Sequence, residues 1–166
     1  MRTPRIVVMG VSGSGKTTIG ERIAAEIGVD FIDGDDLHSP ANKAKMGRGE
    51  PLTDDDRAPW LKTIGEHLAD SSRGMVIVCS ALRRKYRDLI RSAAPDALFI
   101  HLHGPQEVIA ARIAKRDHEF MPPSLLDSQY QTLEPLMDDE AHLIVDIEDS
   151  PDEMVKNATS YLRSVK

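Results

Sequence analysis

Apolar positions along this chain follow two alternating patterns. Short apolar runs occupy residues 6–9, 31–33, 75–79, 98–102 and 143–145. Each is β-branched or apolar enough to read as a strand buried on both faces. Between the runs, the apolar positions return at helical spacing. Ile19, Ile23 and Ile27 recur every fourth residue, as do Trp60, Ile64 and Leu68, and Val155, Ala158, Leu162 and Val165 follow at three or four. These three stripes predict helix faces turned toward a core. The last helix also shows its start, with Ser150 as N-cap, Pro151 at the first helical position and Glu153 completing a capping box. Strands alternating with helices predict an α/β fold around a parallel sheet.

No internal repeat or low-complexity linker interrupts the 166 residues, so residues 1–166 are expected to form a single domain with a core large enough to stand without disulfides. With 40% hydrophobic and 29% charged residues, the chain reads as soluble and globular. An aromatic share of 4% leaves the core to Ile, Leu, Val, Ala and Met. A formal charge of −6 offers no global attraction to nucleic acid or to an anionic membrane, so neither is expected as a partner and any anion site must be built locally. Cys79 has no second cysteine to pair with. Residues 1–5 lead straight into the first strand without a secretory segment, and no apolar run reaches transmembrane length, which places the expected location in the cytoplasm.

The first strand opens directly onto Gly10-Val11-Ser12-Gly13-Ser14-Gly15-Lys16-Thr17, which matches G-x-x-x-x-G-K-[ST] at every fixed position. A random chain of this length carries the pattern roughly once in a few hundred cases. Its position makes coincidence rarer still. Lying between a buried strand and a helix, the loop aims main-chain N–H groups and the positive helix end at a β-phosphate. Lys16 adds a mobile positive charge, the Thr17 hydroxyl is a candidate Mg²⁺ ligand, and Thr18 follows in the same first turn.

Two kinds of P-loop protein fit poorly. Asn42-Lys43-Ala44-Lys45 lacks the aspartate of a guanine-reading Asn-Lys-x-Asp, and the run at 75–79 passes into Ser80 rather than into the acid of a motor or ATPase. The acids follow the second strand instead, in Asp33-Gly34-Asp35-Asp36. That cluster suits a small-molecule kinase, in which carboxylates orient a substrate hydroxyl and help to hold hydrated Mg²⁺. Asp35 is the candidate for orienting the hydroxyl. An aspartate of ordinary pKa, about 3.9, is a weak base toward an alcohol, so positioning outweighs proton abstraction. Asp33, at the strand end, is placed to reach a magnesium-bound water. A solvated Asp-Gly turn is the competing reading.

The P-loop, the run 33–38 ending in Leu37-His38, the stretch from Asn42 to Trp60 with Lys45-Met46, Gly49, Pro51-Leu52, Asp54, Asp56-Arg57 and Pro59-Trp60-Leu61, and Cys79-Ser80-Ala81-Leu82 with Tyr86-Arg87-Asp88 together resemble gluconokinases of the short P-loop family. Leu125-Leu126-Asp127-Ser128-Gln129 with Thr132-Leu133-Glu134 fits the same family. The resemblance implies a nucleoside-monophosphate-kinase-like fold related to shikimate kinase, a five-stranded parallel sheet flanked by helices with a mobile lid. It also implies phosphorylation of D-gluconate by ATP, usually in a homodimer. One departure stands near the lid, where the family often reads His-Phe-Met and Glu119 here separates His118 from Phe120.

Gluconate is an anion carrying a row of hydroxyls, so its site needs a cationic fork and several hydrogen-bond partners. Arg83, Arg84, Lys85 and Arg87 follow the third strand at its carboxyl end, where ligands bind in open α/β sheets. Arg83 and Arg87 share a helix face at spacing four and are expected to hold the carboxylate, with Ser80 adding a hydrogen bond. For Arg84 and Lys85 a solvated basic face is an equal reading. His38 and Arg48 lie in the segment after the acids, expected to cover the substrate. Trp60 reads as core. Arg112 and Arg116 precede the loop 117–123, which reads as the lid. Arg116 is assigned to the transferring phosphoryl and Arg112 to the adenine or α-phosphate side, while ion pairing on a helix surface competes with both roles. A shikimate-like or nucleotide kinase and a non-catalytic nucleotide-binding regulator remain the rival functions, with a nucleic-acid kinase ranked last for want of a basic track.

Overall fold

The five apolar runs form five parallel strands of one sheet, ordered β2-β3-β1-β4-β5. They are β1 (Arg5–Met9), β2 (Asp30–Asp33), β3 (Met75–Val78), β4 (Leu98–His103) and β5 (His142–Asp146). This computed structural model describes residues 3–115 and 123–164. β1 is central, with Val7 pairing Ile77 of β3 on one side and Phe99 of β4 on the other.

Alternate side chains of β1 enter two separate cores, as the two-residue period of a strand requires. Ile6 and Val8 pack with Ile19 and Ile23 of α1 (Lys16–Ile27) and with Val155 and Ala158 of α7 (Pro151–Ser164). Val7 and Met9 pack with Trp60, Ile64 and Leu68 of α3 (Asp54–Asp70) and Ile90 of α4 (Arg84–Ala93). Each aliphatic side chain so buried contributes about 1.5–3 kcal/mol. The remaining helices are α2 (Pro40–Gly47), α5 (Gln106–Ala114) and α6 (Pro123–Thr132).

The three stripes read from sequence are the buried faces of α1, α3 and α7, although Ile27 and Leu162 sit at the core margin and Val165 lies outside the described residues. Ser150 caps α7 as expected, its hydroxyl accepting the Glu153 N–H at 3.2 Å. The start of α3 was not legible in its apolar spacing. It is a reciprocal capping box between Thr53 and Asp56, with three aspartates in the first turn facing the positive helix end. α4 begins at Arg84, leaving Arg83 as an extended N-cap rather than a helical residue. No described helix is long and apolar enough to cross a membrane.

Candidate active site

The chain leaves β1 at Gly10 and enters α1 at Lys16, and the turn between them forms the floor of a cleft of about 790 Å³. Gly13 has φ +82, and a Cβ there would lie 2.6 Å from Cγ1 of Ile113 at the end of α5. Backbone sign and close packing both require glycine at this point. Ser12, Gly13, Gly15, Lys16, Thr17 and Thr18 surface on the cleft. Gly10, Val11 and Ser14 do not. They are buried beneath the loop and shape it from below. Lys16 Nζ rests on the Val11 carbonyl at 3.1 Å. Burial lowers the pKa of this ammonium, and the neighbouring carboxylates of Asp35 and Asp33 oppose that shift.

The facing wall carries Asp33 and Asp35, joined by Cys79 and Ser80 from the end of β3. Asp33 pairs with Val78 across the β2–β3 ladder, and the chain then turns so closely over β3 that a Cβ on Gly34 would lie 2.5 Å from the Val78 carbonyl. Asp33 caps this turn by accepting the Asp35 N–H at 3.0 Å. Trp60 fastens it from below, donating Nε1–H to the Gly34 carbonyl at 2.7 Å. Asp35 is thereby held beside the Lys16 charge. Burial raises its pKa, the charge of Asp33 adds to the rise, and His38 and Lys16 oppose it. A carboxylate so placed is a better acceptor for an alcohol proton than an exposed one.

His38 sits behind this wall rather than on it. Its ring stacks on Trp60 with centroids 3.9 Å apart. Nδ1 accepts from the Asn42 amide at 3.2 Å, which leaves the proton of the neutral ring on Nε2. Burial lowers the imidazole pKa, so the neutral form faces Asp35 at ordinary pH. Trp60 is core, as its stripe implied, and is at the same time the platform for His38.

The arginines divide differently from the sequence reading. Arg87 does not reach the cleft, which corrects its assignment to the substrate carboxylate. Its side chain and that of Glu140 are both 0% exposed, and the two are bonded at 2.8 Å. The shared helix face fails because Arg83 precedes the helix while Arg87 points into the protein. Arg83 stays half-exposed, directly after the carboxyl end of β3. Arg48 is an exposed C-cap of α2 that pairs with Glu50 and does not line the cleft. Arg84 and Lys85 pair with Asp139 and Asp54. Arg112 donates to the Ile147 carbonyl. Arg116 and the proposed lid through residue 122 lie outside the described residues, and Pro123 opens α6.

Val78, Cys79 and Gln129 also line the cleft without an assigned role, and Gln129 is the one that bonds to the P-loop. Gln129 of α6 accepts the Ser12 N–H at 2.7 Å and donates to the Ser12 hydroxyl at 2.9 Å. Its place in the run 125–129 was the only signal in the sequence.

The chain resembles known proteins along nearly its whole length. A family model described as Shikimate kinase matches residues 12–163. The thermosensitive gluconokinase of Escherichia coli is 45% identical over 141 residues, covering 83% of this chain and 75% of that protein. The gluconokinase of Gluconobacter oxydans is 42% identical over 162 residues, covering 96% of this chain and 91% of that one. A crystal structure of a gluconokinase from Sinorhizobium meliloti matches with a TM-score of 0.89 at 48% identity, over 98% of this chain and 93% of its own. Agreement of this extent in both sequence and backbone has one consequence: this chain belongs to the gluconokinases within the shikimate kinase family.

Proposed function

We propose that this chain transfers the γ-phosphoryl group of ATP to D-gluconate, giving 6-phospho-D-gluconate and ADP. The observation that carries this reading is the placing of Lys16 and Asp35 on one cleft whose floor is the P-loop. The loop amides and the N-terminus of α1 bind polyphosphate. Lys16 exchanges the neutral Val11 carbonyl for a phosphate oxygen, a stronger charge-assisted partner. Asp35 accepts a hydrogen bond from the acceptor hydroxyl and aims its oxygen at the γ-phosphorus. As the new O–P bond forms, the bond to the departing ADP oxygen breaks and the hydroxyl proton passes to Asp35. Holding the two reactants in line supplies most of the acceleration.

The residues suit Mg²⁺. Among the described residues no group of three or more His, Cys, Asp or Glu side chains is arranged to hold a metal alone. Mg²⁺ bound with phosphates needs only one or two protein oxygens, the rest coming from water and phosphate. Thr17 and Asp33 offer such oxygens on the cleft. Bound there, the ion would neutralise phosphate charge.

Ser80 and Arg83 are assigned to the acceptor. Arg116 is assigned to the transferring phosphoryl, with residues 117–123 as a lid. A single-domain chain in the cytoplasm, read from its length and apolar runs, working as a homodimer on the strength of the family resemblance, completes the assignment. Light scattering of the purified protein measures the oligomer.

ADP release with Mg²⁺-ATP and a panel of D-gluconate, shikimate and nucleoside monophosphates tests the function. Gluconate is the expected acceptor, and Asp35→Asn is expected to keep ATP affinity while losing nearly all transfer. Turnover of another acceptor with none of gluconate overturns the assignment.

A further inference from the structure

The guanidinium of Arg87 is fully engaged inside the protein. Nε donates to Glu140 Oε1 at 2.8 Å, Nη1 donates to the carbonyls of Ala81 and Leu82 at 2.9 and 3.2 Å, and Nη2 donates to the Glu134 carbonyl at 3.0 Å and to Glu140 Oε2 at 3.3 Å. Arginine carries five N–H donors in a rigid fork, and here each has an acceptor. Compared with apolar side chains of similar volume, a buried ion pair adds little net stability, because desolvation offsets the attraction, although breaking one partner is costly. These bonds instead select a backbone conformation.

The conformation selected is that of Ala81. Its φ of +45 is the only positive value at a non-glycine position among the described residues, in a region that L-residues rarely enter. The carbonyls of Ala81 and Leu82 are held by Arg87, and the Leu82 carbonyl also accepts the Glu134 N–H at 2.7 Å. One residue upstream, Ser80 lines the cleft beside Asp33 and Asp35, because β3 is the ladder partner of β2.

We propose that Arg87, anchored by Glu140, is a positioning residue for the acceptor: it holds Ala81 in left-handed backbone and so aims Ser80 at the hydroxyls and carboxylate of the sugar acid. This rests on the reading of the Ser80 side of the cleft as the acceptor side. Arg87 serves the substrate through the main chain, without touching it.

Two variants test the role. Ala81→Gly removes the Cβ that makes left-handed backbone unfavourable, so its Tm is equal to or above that of the wild type and the conformation of residue 81 depends less on Arg87. Arg87→Lys keeps a charge opposite Glu140 and replaces five fixed donors by three on a flexible stem. In Arg87→Lys the KM for gluconate is expected to rise about tenfold, with kcat and the KM for ATP within about twofold of wild type, and adding Ala81→Gly to that variant is expected to recover most of the rise. A lower Tm in Arg87→Lys is common to both readings, and Arg87 acting only as a structural prop leaves the KM for gluconate unchanged, or raised in a way that Ala81→Gly does not recover, either of which overturns the proposal. If Arg87→Lys fails to fold, Glu140→Gln, which loosens the anchor of Arg87, is compared in its place with and without Ala81→Gly. Wild-type turnover is measured first. Should a different acceptor be phosphorylated, the gluconate assignment fails, and the same comparison with that acceptor decides the positioning role.

Discussion

Replacing Glu140 by glutamine keeps the shape of the side chain and removes its charge from between two arginines. Glu140 Oε1 accepts from Arg87 Nε and Arg91 Nη2, both at 2.8 Å, and Oε2 accepts from the Met137 N–H at 2.8 Å. Burial alone would raise the pKa of this carboxyl. The hydrogen bonds from Arg87, Met137 and Arg91 outweigh burial and hold it at about 2, against an ordinary 4.5. Because the folded value lies below the unfolded one, the stabilisation is complete above pH 4.5 and is lost as pH falls toward 2. At about 1.4 kcal/mol per pH unit, the difference amounts to about 3 kcal/mol. Breaking one side of a buried ion pair costs about 3–5 kcal/mol by a separate route, so the two magnitudes agree. Urea denaturation of both proteins between pH 7 and pH 3 measures it, and subtracting one from the other removes the remaining acids. Glu140→Gln should be less stable by about 3 kcal/mol at pH 7, with the gap narrowing to about 1 kcal/mol at pH 3. A gap under about 1 kcal/mol at neutral pH, or one that ignores pH, refutes the reasoning.

Gly13→Ala forces a methyl to within 2.6 Å of Ile113 in left-handed backbone. Strain of about 1–3 kcal/mol should weaken ATP binding about tenfold by calorimetry, and unchanged affinity would show that the loop adopts another shape. Asp35 must be ionised to accept the hydroxyl proton, and burial followed by the charge of Asp33 raises its pKa above 3.8. The acid limb of kcat/KM should therefore lie above that value in the wild type and move to lower pH in Asp33→Asn; a limb that stays or moves upward removes the coupling. Burial pushes the Cys79 thiol up to about 12, so iodoacetamide at pH 8 should label the protein only after unfolding, and rapid labelling of the native protein would contradict the buried placement.

The strands, the P-loop and the acidic turn were legible because each is encoded within a few consecutive residues. Gly10 through Thr17 fix their own geometry, and Asp33-Gly34-Asp35 needs only the strand before it. The arginines were less legible because their partners are remote in sequence. Arg87 meets Glu140 fifty-three residues away, and nothing in the spacing of Arg83 and Arg87 shows that a helix starts between them. Gln129 meets Ser12 across 117 residues. His38 was expected at the substrate because it lies in the segment after the acids, and its stacking on Trp60 depends on where α3 crosses beneath the turn. Long-range packing decides these placements, and periodicity reports only local faces.

The order of strands in the sheet bears on how the chain is made. β1, first of the five to leave the ribosome, finds its neighbours in residues 75–78 and 98–103. At a synthesis rate of about 5–20 residues per second, that strand stays unpaired for several seconds. Its apolar side chains need shelter during that interval, and a parallel sheet with such distant pairings forms slowly once the strands are available. The arrangement that puts the phosphate loop at the centre of the finished molecule therefore makes β1 the strand that waits longest for its neighbours, and the segment most exposed to misassociation during birth.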